Sequence, residues 1–312
     1  MRRYPVFAPK ARLTAALFGA CALAFAPAPA QALAQAQAQQ PNVSCFPTAQ
    51  LNTPRAIPAG FRVSGLGASP FARAPFTRTQ AVPTIPGLPN LPRGMVQLSY
   101  LGHSSFLLRT PQNVTVITDY NGLNRAGFPP EVVTMNHAHE SHYTDFIEPG
   151  VKHVLRGWFT VDKGYPRIDL KLRDIRIRNV ATNIRNQGGG TEFAGNSMFI
   201  FETAGLCIAH FGHLHHELTR DRLGRIGQID VAMVPVDGGM TLPHDEMAKA
   251  VAALGPKMVV PMHVFGTDSL HYFITLMEAQ GYRLLRVPGP DTLINRAALS
   301  RRTVLVFPEG LF

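Results

Sequence analysis

The feature that most constrains this chain is a run of three histidines, His137-Ala138-His139-Glu140-Ser141-His142, set directly behind the apolar stretch Val132 to Asn136. A short apolar run of that kind predicts a buried strand. The histidines therefore fall where a strand ends and the chain turns. At offsets of two and three, their imidazoles can converge if the strand end leads into a helical turn. Neutral imidazole is a good donor to Zn2+ and similar ions. The competing reading is a solvated loop that merely contains histidines, and three of them behind one apolar strand weigh against it.

A second cluster, His210-Phe211-Gly212-His213-Leu214-His215-His216, follows another strand-like run, Leu206 to His210. Gly212 permits a tight turn there. Four histidines cannot all bind one ion, and the sequence does not say which of His210, His215 and His216 point inward. His263 ends a third buried run, Lys257 to His263. Alone it reads as a polar strand terminus. Open α/β sheets gather ligands at the carboxyl ends of their strands, so three histidine sites at such ends reinforce one another.

Around these sites the pattern is strand-rich first and mixed later. Met95 to Gly102, Ser104 to Thr110 and Asn113 to Tyr120 read as a meander. Further strands are expected at Lys152 to Arg156, Ile175 to Ala181, Ser197 to Glu202 and Ile229 to Val234. Helices are expected over Asp245 to Leu254, closed by Gly255-Pro256, and from Ser269 to Gly281 with Thr267 or Asp268 as cap. This order predicts an α/β fold in stacked layers.

The first residues are of another kind. Arg2, Arg3, Lys10 and Arg12 precede an apolar run, Leu13 to Phe25, and small residues with cleavage points after Ala30 or Ala34. That is the order of a secretory signal peptide over 1–34, too short for a membrane span. Residues 35–93 read as a proline-rich arm, and 94–312 as the folded domain. The expected location is the periplasm or outside the cell. Removing the leader lowers the formal charge from +10 to +6. That balance suits an anionic small-molecule substrate, while no lysine-rich or aromatic-interleaved basic stripe points to nucleic acid. Cys45 and Cys207 remain after export, and they are expected as unpaired thiols, Cys207 in the core.

YLGHSSFLL, ITDY, HAHESH, IAHFGHLHH, IDVAMVPVDGG and VVPMH resemble, in order, the successive blocks of the metallo-β-lactamase superfamily. Of its branches, the one with L-ascorbate-6-phosphate lactonase and N-acyl phosphatidylethanolamine phospholipase D is most similar. The resemblance runs from about Met95 to Gly281 and implies a four-layer αβ/βα metallo-β-lactamase sandwich. It also implies metal ligands at His137, His139, His142 and His263, within a motif His-x-His-x-Asp-His. Ser141 stands where the family has the aspartate, His213 where it has the bridging aspartate, and Asn183 or a neighbour where it has a further histidine.

Losing two carboxylates removes both the bridge and two negative charges, which predicts one metal ion. Its expected ligands are His142, His213 and His263, or these with His137 and His139 sharing the shell. Zinc is the default, and iron, manganese, nickel or copper also suit a histidine site. Asp119 is expected either to orient a ligand imidazole or to serve as a turn carboxylate. His103 should face the cleft, toward metal or substrate, and Asp237 is the spare carboxylate, as general base, late ligand or loop cap. The expected activity is metal-dependent hydrolysis of an ester, lactone or phosphodiester. The alternative is a protein of the same fold that binds a metal or ligand without hydrolysis.

Overall fold

The computed structural model describes Cys45 and residues 84–186 and 188–308, all within one compact unit spanning Pro41–Phe312. The expected signal peptide, and the arm up to 83 apart from Cys45, lie outside the described residues. No helix among the described residues is long and apolar enough to cross a membrane.

Two mixed sheets face each other. The first contains β1 (Val96–Gly102), β2 (Ser105–Arg109), β3 (Thr115–Ile117), β4 (Val132–Met135), β5 (His153–Arg156) and β13 (Asp291–Ile294), in the order β13-β1-β2-β3-β4-β5. The second contains β6 (Asp169–Leu172), β7 (Ile175–Arg185), β8 (Thr191–Thr203), β9 (Leu206–His210), β10 (Val231–Pro235), β11 (Met258–Met262), β12 (Arg283–Arg286) and β14 (Thr303–Val306). Its order is β12-β14-β11-β10-β9-β8-β7-β6, antiparallel from β6 to β9 and parallel from β9 onward.

The central strands β9, β10 and β11 of the second sheet are buried on both faces, which explains why they read as unbroken apolar runs. Because side chains alternate along a strand, Phe199 and Phe201 of β8 join Phe106, Leu108 and Val116 in the core between the sheets. Met198 and Ile200 point the other way, toward α2 (His244–Leu254) and α3 (Thr267–Ala279). Leu270, Phe273, Ile274 and Met277 form the apolar stripe of α3, at helical spacing. The short α1 (Arg220–Ile226) adds Ile226 to the same layer.

This is the expected α/β sandwich, with one layer built differently. Among the described residues, every α-helix that contributes to a core packs on the eight-stranded sheet. The outer face of the other sheet, with Leu107, Ile117, Tyr120, Val133 and Met135, is covered by loop side chains including Tyr143, Ile147 and Trp158.

Three expectations are corrected. Cys45 and Cys207 form a disulfide across 162 residues instead of standing as free thiols; both are buried in the helix-side core, a proximity that spacing could not reveal. The α3 cap is Gly266, with no side-chain cap bond, so neither Thr267 nor Asp268 caps it. Asp268 instead lies in the first turn, where its charge favours the helix N-terminus. The two strands expected around Ile175 and Ser197 are longer than expected and form one hairpin, carried by register pairs as far as Arg185 and Thr191.

Candidate metal centre

The site lies along one edge of the sandwich, where strands end. His103 occupies the turn between β1 and β2, and Asp119 follows β3. His139 and His142 follow β4, His213 follows β9, Asp237 follows β10, and His263 follows β11. His103, Asp119 and His263 have φ of 54°, 42° and 54°, three of seven non-glycine residues in the left-handed region among those described. That region disfavours residues with a Cβ, and exceptions gather at functional sites.

Four imidazoles meet here. Ring centroids are 4.4 Å apart for His139 and His142, 5.1 Å for His142 and His263, and 5.0 Å for His213 and His263. His213 also lies 5.3 Å from His139 and 5.2 Å from His142. His103 approaches from another side, 4.2 Å from His263. Ligand atoms of His103, His139, His142 and His263 lie within 4.8 Å of one another. That group leaves out His213, both of whose ring nitrogens are buried and unpartnered, while His103 Nε2 is engaged with Ser141.

Three rings are held from behind. His142 Nδ1 is 2.7 Å from Asp119 Oδ2, and Asp119 Oδ1 accepts from Asn136 Nδ2 at 2.8 Å. His139 Nδ1 is 2.8 Å from Ser141 Oγ, which is also 2.8 Å from His103 Nε2. His263 Nδ1 faces Asp237 Oδ2 at 3.1 Å, off the line of a good hydrogen bond. What remains is a set of buried ring nitrogens with no partner: Nε2 of His139, His142 and His263, and both nitrogens of His213. Buried polar atoms are ordinarily satisfied. Several such nitrogens converging at one place fit a cation that takes imidazole donors.

The electrostatics agree. Burial, reinforced by the neighbouring imidazoles, lowers the pKa of His103 to about 3, His139 to about 4 and His213 to about 2. Burial also lowers that of His142, against the pull of Asp119. Neutral imidazoles are the form that binds metal. Burial would raise Asp119, but His210, His142 and Asn136 outweigh it and hold the carboxyl well below its usual range. Asp237 is likewise held down, against burial, by His263 and Thr241.

A family model, the Beta-lactamase superfamily domain, matches residues 97–263. The chain belongs to the metallo-β-lactamase superfamily. Among curated relatives, a metal-dependent hydrolase of Thermococcus kodakarensis is 28% identical over 198 residues, covering 54% of this chain and 84% of that one. Another from Pyrococcus abyssi is 28% identical over 192 residues, with the same coverage. The structure of a Thermotoga maritima protein, described as a zinc-dependent hydrolase of the metallo-β-lactamase superfamily, superimposes with a TM-score of 0.50. It is 25% identical, covering 68% of this chain and 98% of the other.

Against the superfamily motif, the structure separates the histidines. His137 stands apart from the imidazole cluster: its Nδ1 is 3.0 Å from Glu192 Oε1, and its ring stacks on Trp158 at 5.3 Å. His210 is a brace, with Nε2 donating to Ser104 O at 2.9 Å and Nδ1 accepting from Gly212 N at 3.1 Å. His216 Nε2 accepts from the Asn183 amide at 3.0 Å, while Asn183 Oδ1 accepts from the Ala194 amide. His215 lies outside the cluster, with its Nε2 buried and unpartnered. Asp237 Oδ1 accepts from the amides of Gly239, Met240 and Thr241, so it caps its loop while facing His263.

Gly212 shows why this metallo-β-lactamase chain turns as it does. Its φ is 59°, and a Cβ there would lie 2.3 Å from Asn196 Oδ1 and 2.4 Å from Asn136 Nδ2. Those two asparagines fix both histidine loops: Asn196 Oδ1 accepts from the His213 amide, and Asn136 reaches Asp119. Beside the cluster opens a cleft of about 1100 Å³, bordered by His139, His213, His137, Arg185, Glu192 and Met240, among others. Sequence reasoning missed Ser141 as a partner of two imidazoles and Glu192 as the partner of His137. Glu192 is 55 residues from its histidine, and no local pattern marks it.

Proposed function

We propose that this chain is a metal-dependent hydrolase that holds one divalent cation on His139, His142, His213 and His263. The observation that carries this reading is the set of inward, unpartnered imidazole nitrogens, three of them on rings fixed from behind. A dication held there supplies a water nucleophile near neutral pH and a Lewis acid for a carbonyl or phosphoryl group. Zinc is the first choice for an imidazole site, with iron, manganese, nickel and copper as alternatives.

The count of one ion follows from charge. No carboxylate belongs to the inner cluster, but Asp119 and Asp237 stand one contact behind it, and two buried carboxylates balance one dication. They also fix protons. With Nδ1–H donated to Asp119, His142 turns an Nε2 lone pair inward, and the charge of Asp237 beside His263 Nδ1 favours the same tautomer there. If His139 Nδ1 donates to Ser141 Oγ, the hydroxyl donates in turn to His103 Nε2. His103 is then an acceptor that anchors the hydroxyl, and it stays neutral.

The cleft suits a small molecule, and we assign it an ester, lactone or phosphodiester substrate with an anionic group. The nearest functional kin proposed are the lactonases and phospholipases named above. Export to the periplasm or the exterior is part of the same reading, supported by the disulfide, since such bonds persist in oxidising compartments.

The test is elemental analysis of the purified full chain beside His263→Ala, with both assayed on ester, lactone and phosphodiester panels. About one equivalent of metal, lost in the variant together with turnover, is the expected result. Turnover unchanged in His263→Ala would overturn the proposal.

A further inference from the structure

Four exposed apolar side chains form one patch beside the cleft. Thr160 and Gly164 pair across a tight turn whose tip carries Val161, 96% exposed. At its base Phe159 and Tyr165, 43% and 63% exposed, have rings 5.3 Å apart. The Phe159 amide donates to Ala194 O at 2.8 Å, which sets this turn beside Phe193, 72% exposed. Tyr165 and Phe193 border the same small hollow of about 350 Å³.

The patch is rimmed by positive charge. On one side Arg156, Lys163 and Arg167 border a hollow of about 600 Å³ with Tyr165 and Trp158. On the other, Arg222 and Arg225 border the smaller hollow. The carboxylates in the same strip are Asp162, Asp221, the Asp145 that pairs with Arg156 at 3.3 Å, and Glu192 beside Phe193, which pairs with His137. Five cations against four carboxylates leave a small positive excess around a group of apolar tips. Apolar tips with a basic surround are the make-up of a peripheral membrane site, where apolar burial and attraction to anionic headgroups add.

We propose that this patch docks on a lipid surface bearing anionic headgroups. Charge complementarity selects that occupant. Residues 46–83 of this chain carry four arginines and no acidic residue, so they repel the rim. A second copy would bring one positive rim against another. Trp158 stacks on His137, which borders the main cleft, so docking sets that cleft beside the lipid.

Trp158 is the only tryptophan of the chain and lines the hollow beside this patch. The full chain is mixed with equimolar phosphatidylglycerol–phosphatidylcholine vesicles and with phosphatidylcholine vesicles, both containing the same fraction of brominated phosphatidylcholine. Quenching of Trp158 by the anionic vesicles, weaker with pure phosphatidylcholine and reduced at high salt, is expected. Val161→Asp/Phe193→Asp should weaken partitioning about tenfold or more, with circular dichroism and metal content unchanged. Leu285→Asp, on the opposite edge strand β12, should leave it as it was. Should the double variant not fold, Lys163→Glu/Arg167→Glu replaces it, with the same loss expected. An unquenched Trp158 in a chain that still sediments with vesicles overturns the proposal, because contact is then made elsewhere. Equal quenching in the folded patch variants overturns it too.

Discussion

His142 presents Nδ1 to Asp119 at 2.7 Å, both side chains wholly buried, so its free Nε2 can face only the imidazole cluster. The carboxylate does two things there: it fixes which nitrogen carries the proton, and it supplies half of the negative charge behind the site. Asp119→Asn keeps the shape and removes the charge. Loss of a carboxylate behind a ligand histidine typically weakens metal binding about 10- to 100-fold. Chelator competition measures this, and an unchanged affinity would remove Asp119 from the account.

His137 and His213 should separate cleanly. His213 has both ring nitrogens buried and unpartnered, whereas His137 is held by Glu192 and Trp158. Elemental analysis should find His213→Ala depleted of metal and His137→Ala still loaded. The reverse result would restore the superfamily's usual use of the first histidine.

Stability of the metal-free protein should fall on acidification from pH 7 toward 4. In the unfolded chain these imidazoles take up protons near ~6.5, whereas folded His103 and His139 resist to about 3 and 4. Below ~6.5 the unfolded state therefore binds more protons, and linkage shifts the balance toward it. Thermal unfolding in the presence of chelator across that range should show a falling midpoint, and bound metal should lessen the fall. A midpoint rising on acidification would contradict the neutral-imidazole cluster.

The Cys45–Cys207 bond closes a loop of 162 residues, and bonds closing long loops restrict the unfolded chain most. Reduction, or Cys45→Ser, should cost about 2–5 kcal/mol in denaturant unfolding. Identical midpoints with and without reductant would mean that the bond contributes nothing.

Much of the frame was legible because its signals are local. The run from Val132 to the histidines, and those ending at His210 and His263, announce strands whose ends carry imidazoles, and the order of blocks announces the superfamily. Proximity was not legible. Ser141 reads as a lost ligand, yet in space it joins His103 to His139, residues 36 apart. His137 and His139 look equivalent in sequence, and only Glu192 and Trp158, arriving from other strands and loops, draw one of them outward. Cys45 lies in a proline-rich stretch that gives no sign of its partner. β12, four exposed residues rich in arginine, lacks the alternation that marks a strand.

Three of the side chains at this centre stand on backbone that glycine would occupy more comfortably. His103, Asp119 and His263 each hold a positive φ, at a cost of order 1–3 kcal/mol apiece. At these positions the demands of folding and of chemistry diverge. A glycine there would relax the turn and erase the group that makes the turn useful. Selection for heat resistance alone would therefore push this protein toward a sturdier and emptier site.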